Sequence, residues 1–196
     1  MTAEHEKYLR IISEFIPKDR IYTDDLRCLA WGTDAGFYRN IPQIVVRSKN
    51  EEEVAKLLTA ANELKLSVTF RAAGTSLSGQ TNTDSILIVA GKNWEKYSIS
   101  PDATTITLQP GLVGHRVDEI LKPLGRVFSP DPASKNSAMV GGIVMNNASG
   151  MSCGTHANSD RIMKSMRIVL ADGTILDTGD EHSREAFRHT HADFLR

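Results

Sequence analysis

Cysteine, long apolar runs and an excess of one charge are all scarce in this sequence of 196 residues. No apolar run approaches the roughly 20 residues of a membrane-spanning helix, and the charged N-terminus lacks the apolar core of a signal peptide. Cys28 and Cys153 lie far apart and outside any C-x-x-C pattern, which argues against a disulfide framework or a zinc site. The formal net charge of −1 gives no reason to expect nucleic acid or an anionic membrane surface as a partner.

These absences favour a cytoplasmic protein without a transmembrane segment, and they leave peripheral association with the inner face of the membrane open. The composition suits a packed core, because hydrophobic residues make up 40% and charged residues 24% of the chain. The length gives room for one domain or two small lobes. The sequence shows no internal repeat or low-complexity tract, so the spacing of apolar residues carries the prediction of fold.

The first half of the chain alternates between helical and strand patterns. Apolar spacing predicts one amphipathic helix and three strands, at residues 3–15, 43–47, 67–71 and 85–90. The stretch from Ser48 to Glu51 fits a capping box, and the helix after it has an apolar face formed by Val54, Leu57, Leu58, Ala61 and Leu64. This strand–helix–strand unit predicts parallel strands joined by a right-handed crossover. Residues 18–41 are turn-rich and give no assignment.

The second half favours antiparallel strands and helices. The patterns predict a strand at 104–109, a helix at 113–125 that Gly125 ends, and a hairpin at 164–178 that turns at Asp172-Gly173. A last helix is predicted over 183–196. It lacks a cap or a glycine at its end, so we expect the natural protein to continue.

The predicted fold class is therefore α+β with an α/β first lobe. A small parallel sheet would form the first lobe, residues 1–98, and an antiparallel sheet flanked by helices would form the second, residues 99–196.

The stretch "GTSLSGQT", residues 74–81, differs by one letter from a phosphate-binding P-loop. A P-loop needs a lysine, where this chain has Gln80, and a helix directly after the loop, where this chain has a predicted strand. The dinucleotide fingerprint fails for the same lack of a helix. A plain tight turn remains one interpretation. The other is an anion site, because small side chains leave backbone N–H groups open and add hydroxyl donors, so that a diphosphate could bind without a metal.

A second glycine-rich stretch covers residues 129–162. Gly141-Gly142 allows close approach of the backbone to a flat or bulky group, and Asn146, Asn147 and Ser149 supply uncharged polar groups. Such a set suits a large, neutral, heteroaromatic ligand. The alternative is a long ordered surface loop without a ligand.

Together, the two stretches resemble a known family. "RAAGTSLSGQ", followed by "PDPAS", "MVGGIVMNNASG" and "LADGTIL", is similar to the PCMH-type FAD-binding domain of the vanillyl-alcohol oxidase / para-cresol methylhydroxylase superfamily. Within it, the chain resembles the D-lactate, glycolate and D-2-hydroxyglutarate dehydrogenases, and especially the N-terminal part of large members that join a flavin dehydrogenase to an iron–sulfur segment. The resemblance covers about residues 30–180.

The resemblance implies a cofactor site between two lobes. Backbone amides and hydroxyls that would hold the FAD diphosphate belong to Ala73, Gly74, Thr75 and Ser76, with Arg71 at the loop entrance. Toward the ribityl chain and the ring would lie Ser78, Gly79 and Gln80. From the second lobe, the cofactor would be lined by Pro130, Asp131, Ser134 and Ser137. The rest of that wall would comprise Gly141, Gly142, Asn146, Asn147, Gly150 and Gly154, and Ile162 would pack near the adenine. A surface charge at a strand end is the alternative role for Arg71.

Two departures from the family sharpen the expectations. Members that attach FAD covalently through this loop have a histidine where this chain has Thr75, so the resemblance implies non-covalent FAD. Members also continue for hundreds of residues, and their catalytic histidine, substrate-binding arginine and metal ligands are expected beyond Arg196. We therefore expect no catalytic or metal-binding residue in this chain and no turnover by the chain alone.

The resemblance implies that the full protein oxidises a D-2-hydroxy acid to a 2-oxo acid and passes electrons to an iron–sulfur cluster or another acceptor. A sugar or alcohol oxidase of the same superfamily, or a non-catalytic nucleotide-binding module, are the alternatives. Other polar residues are expected to be ordinary surface groups, because His189 and His191 do not share a helix face and Asp34 has no catalytic partner in sequence.

Overall fold

The computed structural model describes residues 1–195, and Arg196 lies outside the described residues. The first part of the chain contains α1 (Ala3–Ser13), β1 (Ile21–Tyr22), α2 (Asp25–Trp31), β2 (Ile44–Arg47), α3 (Glu51–Glu63), β3 (Val68–Arg71) and β4 (Ile86–Val89). The rest contains β5 (Tyr97–Ile99), β6 (Ile106–Leu108), α4 (Gly114–Leu121), α5 (Val140–Met145), α6 (Ser159–Ile162), β7 (Arg167–Val169), β8 (Ile175–Asp177) and α7 (Glu181–Thr190). Short 3-10 turns complete it, at Lys18–Arg20, Lys122–Leu124 and Ala192–Leu195.

A four-stranded sheet organises the first part of the chain, with the strand order β1-β2-β4-β3. β2 and β3 both pair parallel to β4, as the strand–helix–strand pattern predicts, and β1 pairs antiparallel to β2. β2 and β3 are not neighbours, because β4 lies between them. All four residues of β4 are buried, and an apolar strand of this kind is stable at the centre of a sheet.

Both faces of this sheet are covered. Alternate strand residues such as Ile44 and Ile86 pack on one face with Tyr8 of α1 and Leu57 of α3. On the other face, Val45, Leu87 and Val89 pack against Cys28 of α2. Burying one such aliphatic side chain is worth about 1.5–3 kcal/mol, so the alternation fixes the register of the strands.

A second hydrophobic cluster lies between α4, α5 and the β5–β6 hairpin. Its buried members include Val117 of α4 and Val140 and Ile143 of α5, with Ile106 and Leu108 of β6 packed against them. The antiparallel strands β5 to β8 form two separate pairs within the described residues, β5–β6 and β7–β8. The β7–β8 hairpin packs on α3, where Arg167 forms an ion pair with Glu51 at 2.6 Å.

The predicted division into residues 1–98 and 99–196 stays a prediction. Strand β5 runs across that position, since it covers Tyr97–Ile99. The β7–β8 hairpin, from the second half of the sequence, touches α3 of the first half, and the Thr59 hydroxyl donates to the Asp172 carbonyl at 3.3 Å.

Two predictions of local structure were wrong. The capping residue of α3 is Asn50 and not Ser48, because Ser48 continues the strand contacts by donating its N–H to Val89. Residues 129–162, for which a long surface loop was the alternative to a ligand site, contain the helices α5 and α6. The last helix begins at Glu181 and ends at Thr190, because His191 leaves the helix to stack on Phe187 and contact Asp172. The predicted exposure of His191 is therefore also wrong, since its side chain is 15% exposed.

Candidate functional site

The turn of residues 72–81 begins where β3 ends. No helix follows it, because the chain continues irregularly to β4 at Ile86, and the P-loop interpretation is excluded as the sequence indicates. Gly74 and Gly79 have φ angles of 77° and 75°, in the left-handed region that favours glycine. The turn lies at the carboxyl ends of the parallel strands, which is where open α/β sheets bind ligands.

The second half of this turn is closed by its own hydrogen bonds. The Ser76 hydroxyl oxygen accepts from the N–H groups of Ser78 at 3.1 Å and Gln80 at 3.3 Å. The N–H group of Gly79 donates to the Asp34 carboxylate at 2.9 Å. Because two N–H groups occupy the acceptor side of the Ser76 hydroxyl, its proton is the part that can donate to a ligand.

The first half of the turn is open. Within residues 1–195, no hydrogen-bond acceptor is paired with the backbone N–H groups of residues 73–77. Consecutive unpaired N–H groups in a glycine-containing turn form a concave site for an anion. The N–H groups of residues 73–77 are therefore open to a ligand, whereas those of Ser78, Gly79 and Gln80 are already paired.

Arg71 lies directly beneath this open half. A Cβ atom on Gly74 would overlap the Arg71 guanidinium group, so the glycine permits the close approach. The guanidinium donates to the carbonyl of Thr33 and to that of Trp31 at 3.4 Å, and it lies over the Trp31 ring. Burial lowers the pKa of Arg71, and the nearby Asp34 charge opposes that shift. Its buried Nε atom has no partner within the described residues, so a cation is held under the turn without a bound carboxylate.

Residues 33–38, which the sequence left unassigned, form the wall of the turn. Asp34 accepts from Gly79 and also from the N–H group of Gly36 at 2.8 Å. The N–H group of Ala35 donates to the Ser76 carbonyl at 3.0 Å, and the Tyr38 ring packs on Gly79. The prediction that Asp34 is an ordinary surface charge was wrong, since it is half-buried and bonded to the turn. The Asp-x-Gly spacing, typical of an Asx turn, was the signal that could have found it.

Several predicted residues of the second region support local structure. Asp131 lies 3.7 Å from Lys135 and its carbonyl lies against Gly150, where a Cβ would overlap it. The Ser137 hydroxyl donates back to the Ser134 carbonyl at 3.1 Å. Pro130 is buried.

The remaining predicted residues of this region lie on and around α5 and α6. Gly141 packs against Pro110, whereas a Cβ on Gly142 would meet nothing within 4 Å. Asn146 is exposed after α5, and the Asn147 side chain accepts from the N–H group of Asp160 at 3.0 Å. Gly154, with a φ of 54°, and Ile162 are exposed.

No hydrogen bond joins the turn to the second region within residues 1–195. They are linked instead through close contacts along the carboxyl edge of the sheet. The Arg71 carbonyl accepts from Ala90 of the neighbouring strand at 2.9 Å, and Gly111 packs against the Gly91 carbonyl. Pro110 then accepts from the N–H group of Gly141 at 2.9 Å. Both regions therefore border the same edge, although the structure does not pair their polar groups directly.

Metal-binding clusters and membrane-spanning helices are absent from the described part of the chain. Within residues 1–195 there is no cluster of three or more histidine, cysteine, aspartate or glutamate residues that could hold a metal. No helix among them is long and apolar enough to cross a membrane.

Comparisons with known proteins relate the chain to an FAD-binding domain family. A family model described as an FAD binding domain matches residues 42–179, which is more than half of the chain. The D-2-hydroxyglutarate dehydrogenase of Haemophilus influenzae is 25% identical over 189 residues, covering 87% of this chain and 18% of that protein. The glycolate oxidase subunit GlcD of Escherichia coli is 27% identical over 182 residues, covering 91% of this chain and 36% of that protein.

Solved structures show the same fold. p-Cresol methylhydroxylase superposes with a TM-score of 0.77 at 16% identity, over 91% of this chain and 36% of that one. Glucooligosaccharide oxidase from Acremonium strictum superposes with a TM-score of 0.71 at 18% identity, over 87% of this chain and 36% of that one. The chain thus spans well under half the length of the proteins it matches. On the family match across residues 42–179, the chain belongs to the FAD-binding domain family.

Proposed function

We propose that this chain is the FAD-binding portion of a flavin-dependent oxidoreductase that oxidises a D-2-hydroxy acid to the 2-oxo acid. The observation that carries the proposal is the set of unpaired N–H groups at residues 73–77 above the half-buried Arg71. Curated relatives support the substrate class, because they include a D-2-hydroxyglutarate dehydrogenase, a glycolate oxidase subunit and a D-lactate dehydrogenase.

The described residues fit the chemistry of FAD at the turn. A diphosphate needs several N–H donors and a nearby cation, and the turn offers the N–H groups of Ala73, Gly74, Thr75 and Ser76, the Ser76 hydroxyl and the charge of Arg71. When bound, FAD supplies the redox chemistry, as the acceptor of two electrons from the substrate. The role of this chain is to bind and orient the cofactor and to set the electrostatic field around its phosphates.

We propose that the second region faces the rest of the cofactor. Gly142 has open space where a side chain would stand, and the exposed Asn146 offers an amide. The buried hydroxyl oxygen of Ser159 has no partner within the described residues, and a ligand group could pair with it. Gly150, Asn147 and Asp131 act mainly by holding this region in shape.

Non-covalent binding of the cofactor is part of the proposal. The glucooligosaccharide oxidase described above carries 6-S-cysteinyl, 8α-N1-histidyl FAD. In this chain, the turn contains Thr75 and no histidine, and both cysteines are buried, Cys28 at 4% and Cys153 at 6% exposure. Acid precipitation of the flavin-loaded protein should leave the yellow colour in solution, whereas colour retained in the pellet would contradict the proposal.

The test of FAD binding is a titration of the chain with FAD, followed by flavin fluorescence. Saturable binding is expected, and Arg71→Met should weaken it about tenfold or more, because a charge-assisted contact contributes roughly 1.5–3 kcal/mol. Arg47→Met is the matched control, since Arg47 ends β2, which β4 separates from β3, and its guanidinium donates to the Tyr22 hydroxyl at 3.2 Å. Absence of saturable binding to the wild-type chain would overturn the proposal and favour a non-catalytic module.

The substrate class is tested on the full-length protein. D-2-Hydroxyglutarate, glycolate and D-lactate are expected to bleach the flavin absorbance under anaerobic conditions, and L-2-hydroxyglutarate and L-lactate are the controls. Similarity to oligosaccharide oxidases favours a sugar oxidase as the second candidate. Bleaching by oligosaccharides alone, with rapid reoxidation by oxygen, would support that candidate. The absorption spectrum of the full-length protein should also show the bands of the proposed iron–sulfur cluster. Cell fractionation should place the protein in the cytoplasmic fraction, as proposed.

A further inference from the structure

Asp34 lies outside the turn, but its carboxylate is hydrogen-bonded to it. Its two carboxylate oxygens accept from two different segments, Oδ1 from the N–H group of Gly36 at 2.8 Å and Oδ2 from that of Gly79 at 2.9 Å. The N–H group of Ala35 donates to the Ser76 carbonyl at 3.0 Å. Two hydrogen bonds therefore join the segment 34–36 to the turn, one from Gly79 to Asp34 and one from Ala35 to Ser76.

The two segments are packed at backbone distance. A Cβ on Gly36 would lie 2.6 Å from the Leu77 carbonyl oxygen, so no side chain fits between them. A carboxylate is well suited to this place, because it has no proton to donate and can accept several N–H bonds at once. Charge-assisted hydrogen bonds of this kind are about twice as strong as neutral ones.

The pairing divides the turn into two parts. Asp34 takes the N–H group of Gly79, and the Ser76 hydroxyl takes those of Ser78 and Gln80. The N–H groups of residues 73–77 keep no acceptor within residues 1–195. Without Asp34, Gly79 would lose its acceptor and the turn would lose one of the anchors that keep it in this conformation.

We propose that Asp34 is a positioning residue for the anion-binding turn, which it fixes so that the N–H groups of residues 73–77 are presented to a diphosphate. This inference rests on the proposed function of the turn as the FAD diphosphate site. The Asp34 charge also opposes the effect of burial, which lowers the pKa of Arg71. The carboxylate does not bind the ligand in this proposal, because it has no proton to donate to an anionic diphosphate.

The first test compares affinities for FAD and for inorganic pyrophosphate, the second by competition with FAD. Asp34→Ala should weaken both roughly ten- to hundredfold, because two charge-assisted bonds are lost. Asp34→Asn keeps one carbonyl acceptor and should lie between Asp34→Ala and the wild type. Asp24→Ala is the matched control, since Asp24 also accepts a backbone N–H, that of Arg27, on the same stretch of chain but at the cap of α2. The affinity of the Asp24→Ala variant for FAD and pyrophosphate should stay within about twofold of that of the wild type.

The second test separates positioning from general stability. In an NMR titration of the wild-type chain, pyrophosphate should shift the N–H signals of residues 73–77 and leave Gly79 nearly unchanged. In Asp34→Asn, this selectivity should be reduced. Equal FAD affinity of the Asp34 variants and the wild type, or a wild-type titration in which Gly79 shifts most, would overturn the inference while FAD binding stands. Failure of the wild type to bind FAD or pyrophosphate would overturn the proposed function itself, and this inference with it.

Discussion

The substitution Gly74→Ala tests the central feature of the site, the contact between the turn and Arg71. Gly74 has a φ of 77°, and a Cβ added there would overlap the Arg71 guanidinium group. The substitution therefore has two effects. It places alanine in the left-handed region, which costs about 1–2 kcal/mol, and it displaces the guanidinium from the carbonyls of Trp31 and Thr33.

The two effects add. A hydrogen bond from a charged group contributes about 1.5–3 kcal/mol, so loss of one such bond brings the total for Gly74→Ala to about 2.5–5 kcal/mol. Gly125→Ala is the matched control. Gly125 has a φ of 65°, and nothing lies within 4 Å of an added Cβ, so only the conformational cost of about 1–2 kcal/mol applies.

Urea unfolding measures the free energy of unfolding of both variants, and titration with FAD measures their affinity for the cofactor. We expect Gly74→Ala to lower the free energy of unfolding more than Gly125→Ala does and to weaken FAD binding about tenfold or more, since 1.4 kcal/mol corresponds to a factor of about ten. Gly125→Ala should bind FAD like the wild type. Equal stability losses in the two variants, together with unchanged FAD affinity in Gly74→Ala, would refute the reasoning.

Three further predictions concern acid sensitivity, the turn and the core. Burial alone would raise the pKa of Glu53, but hydrogen bonds from Arg20 and a backbone N–H hold it below its usual value. The stability that these hydrogen bonds contribute is fully present above about pH 4.3 and is lost as the pH falls through the lowered pKa of Glu53. In urea unfolding, the free energy of unfolding of Glu53→Gln should therefore depend less on pH in this range than that of the wild type. Ser76→Ala should weaken FAD binding about tenfold in the fluorescence titration, and Ser76→Thr, which keeps the hydroxyl, should restore most of it. Leu57→Ala, in the core, should cost about 2–5 kcal/mol by urea unfolding, and Leu29→Ala, at a residue 42% exposed, should cost less than about 1 kcal/mol.

Elements with a strong local pattern were predictable. The helix at Ala3–Ser13 and the strands Ile44–Arg47, Val68–Arg71 and Ile86–Val89 follow the apolar spacing of the sequence. The hairpin turn at Gly173, with a φ of 87°, and the left-handed Gly125 were also predicted, because these positions need glycine for a reason local to the chain.

Elements without such a pattern were missed. Helix α2 covers the second face of the sheet, yet its seven residues carry only one buried side chain, Cys28, so they show no clear apolar period. Helix α5 escaped detection because two of its six residues are glycine, which local propensity disfavours. Both helices form because packing against a sheet or a neighbouring helix outweighs their weak intrinsic preference.

The sequence by itself determined the α/β character of the first half, the turn after β3 and the resemblance to an FAD-binding domain, since these depend on residue types in order along the chain. Only the tertiary structure decided which N–H groups of the turn are open. That depends on Asp34, which meets Gly79 45 residues further along the chain, and on Arg71, which is held by carbonyls of residues 31 and 33. Such contacts arise when the chain folds back on itself, and neither propensity nor periodicity encodes them.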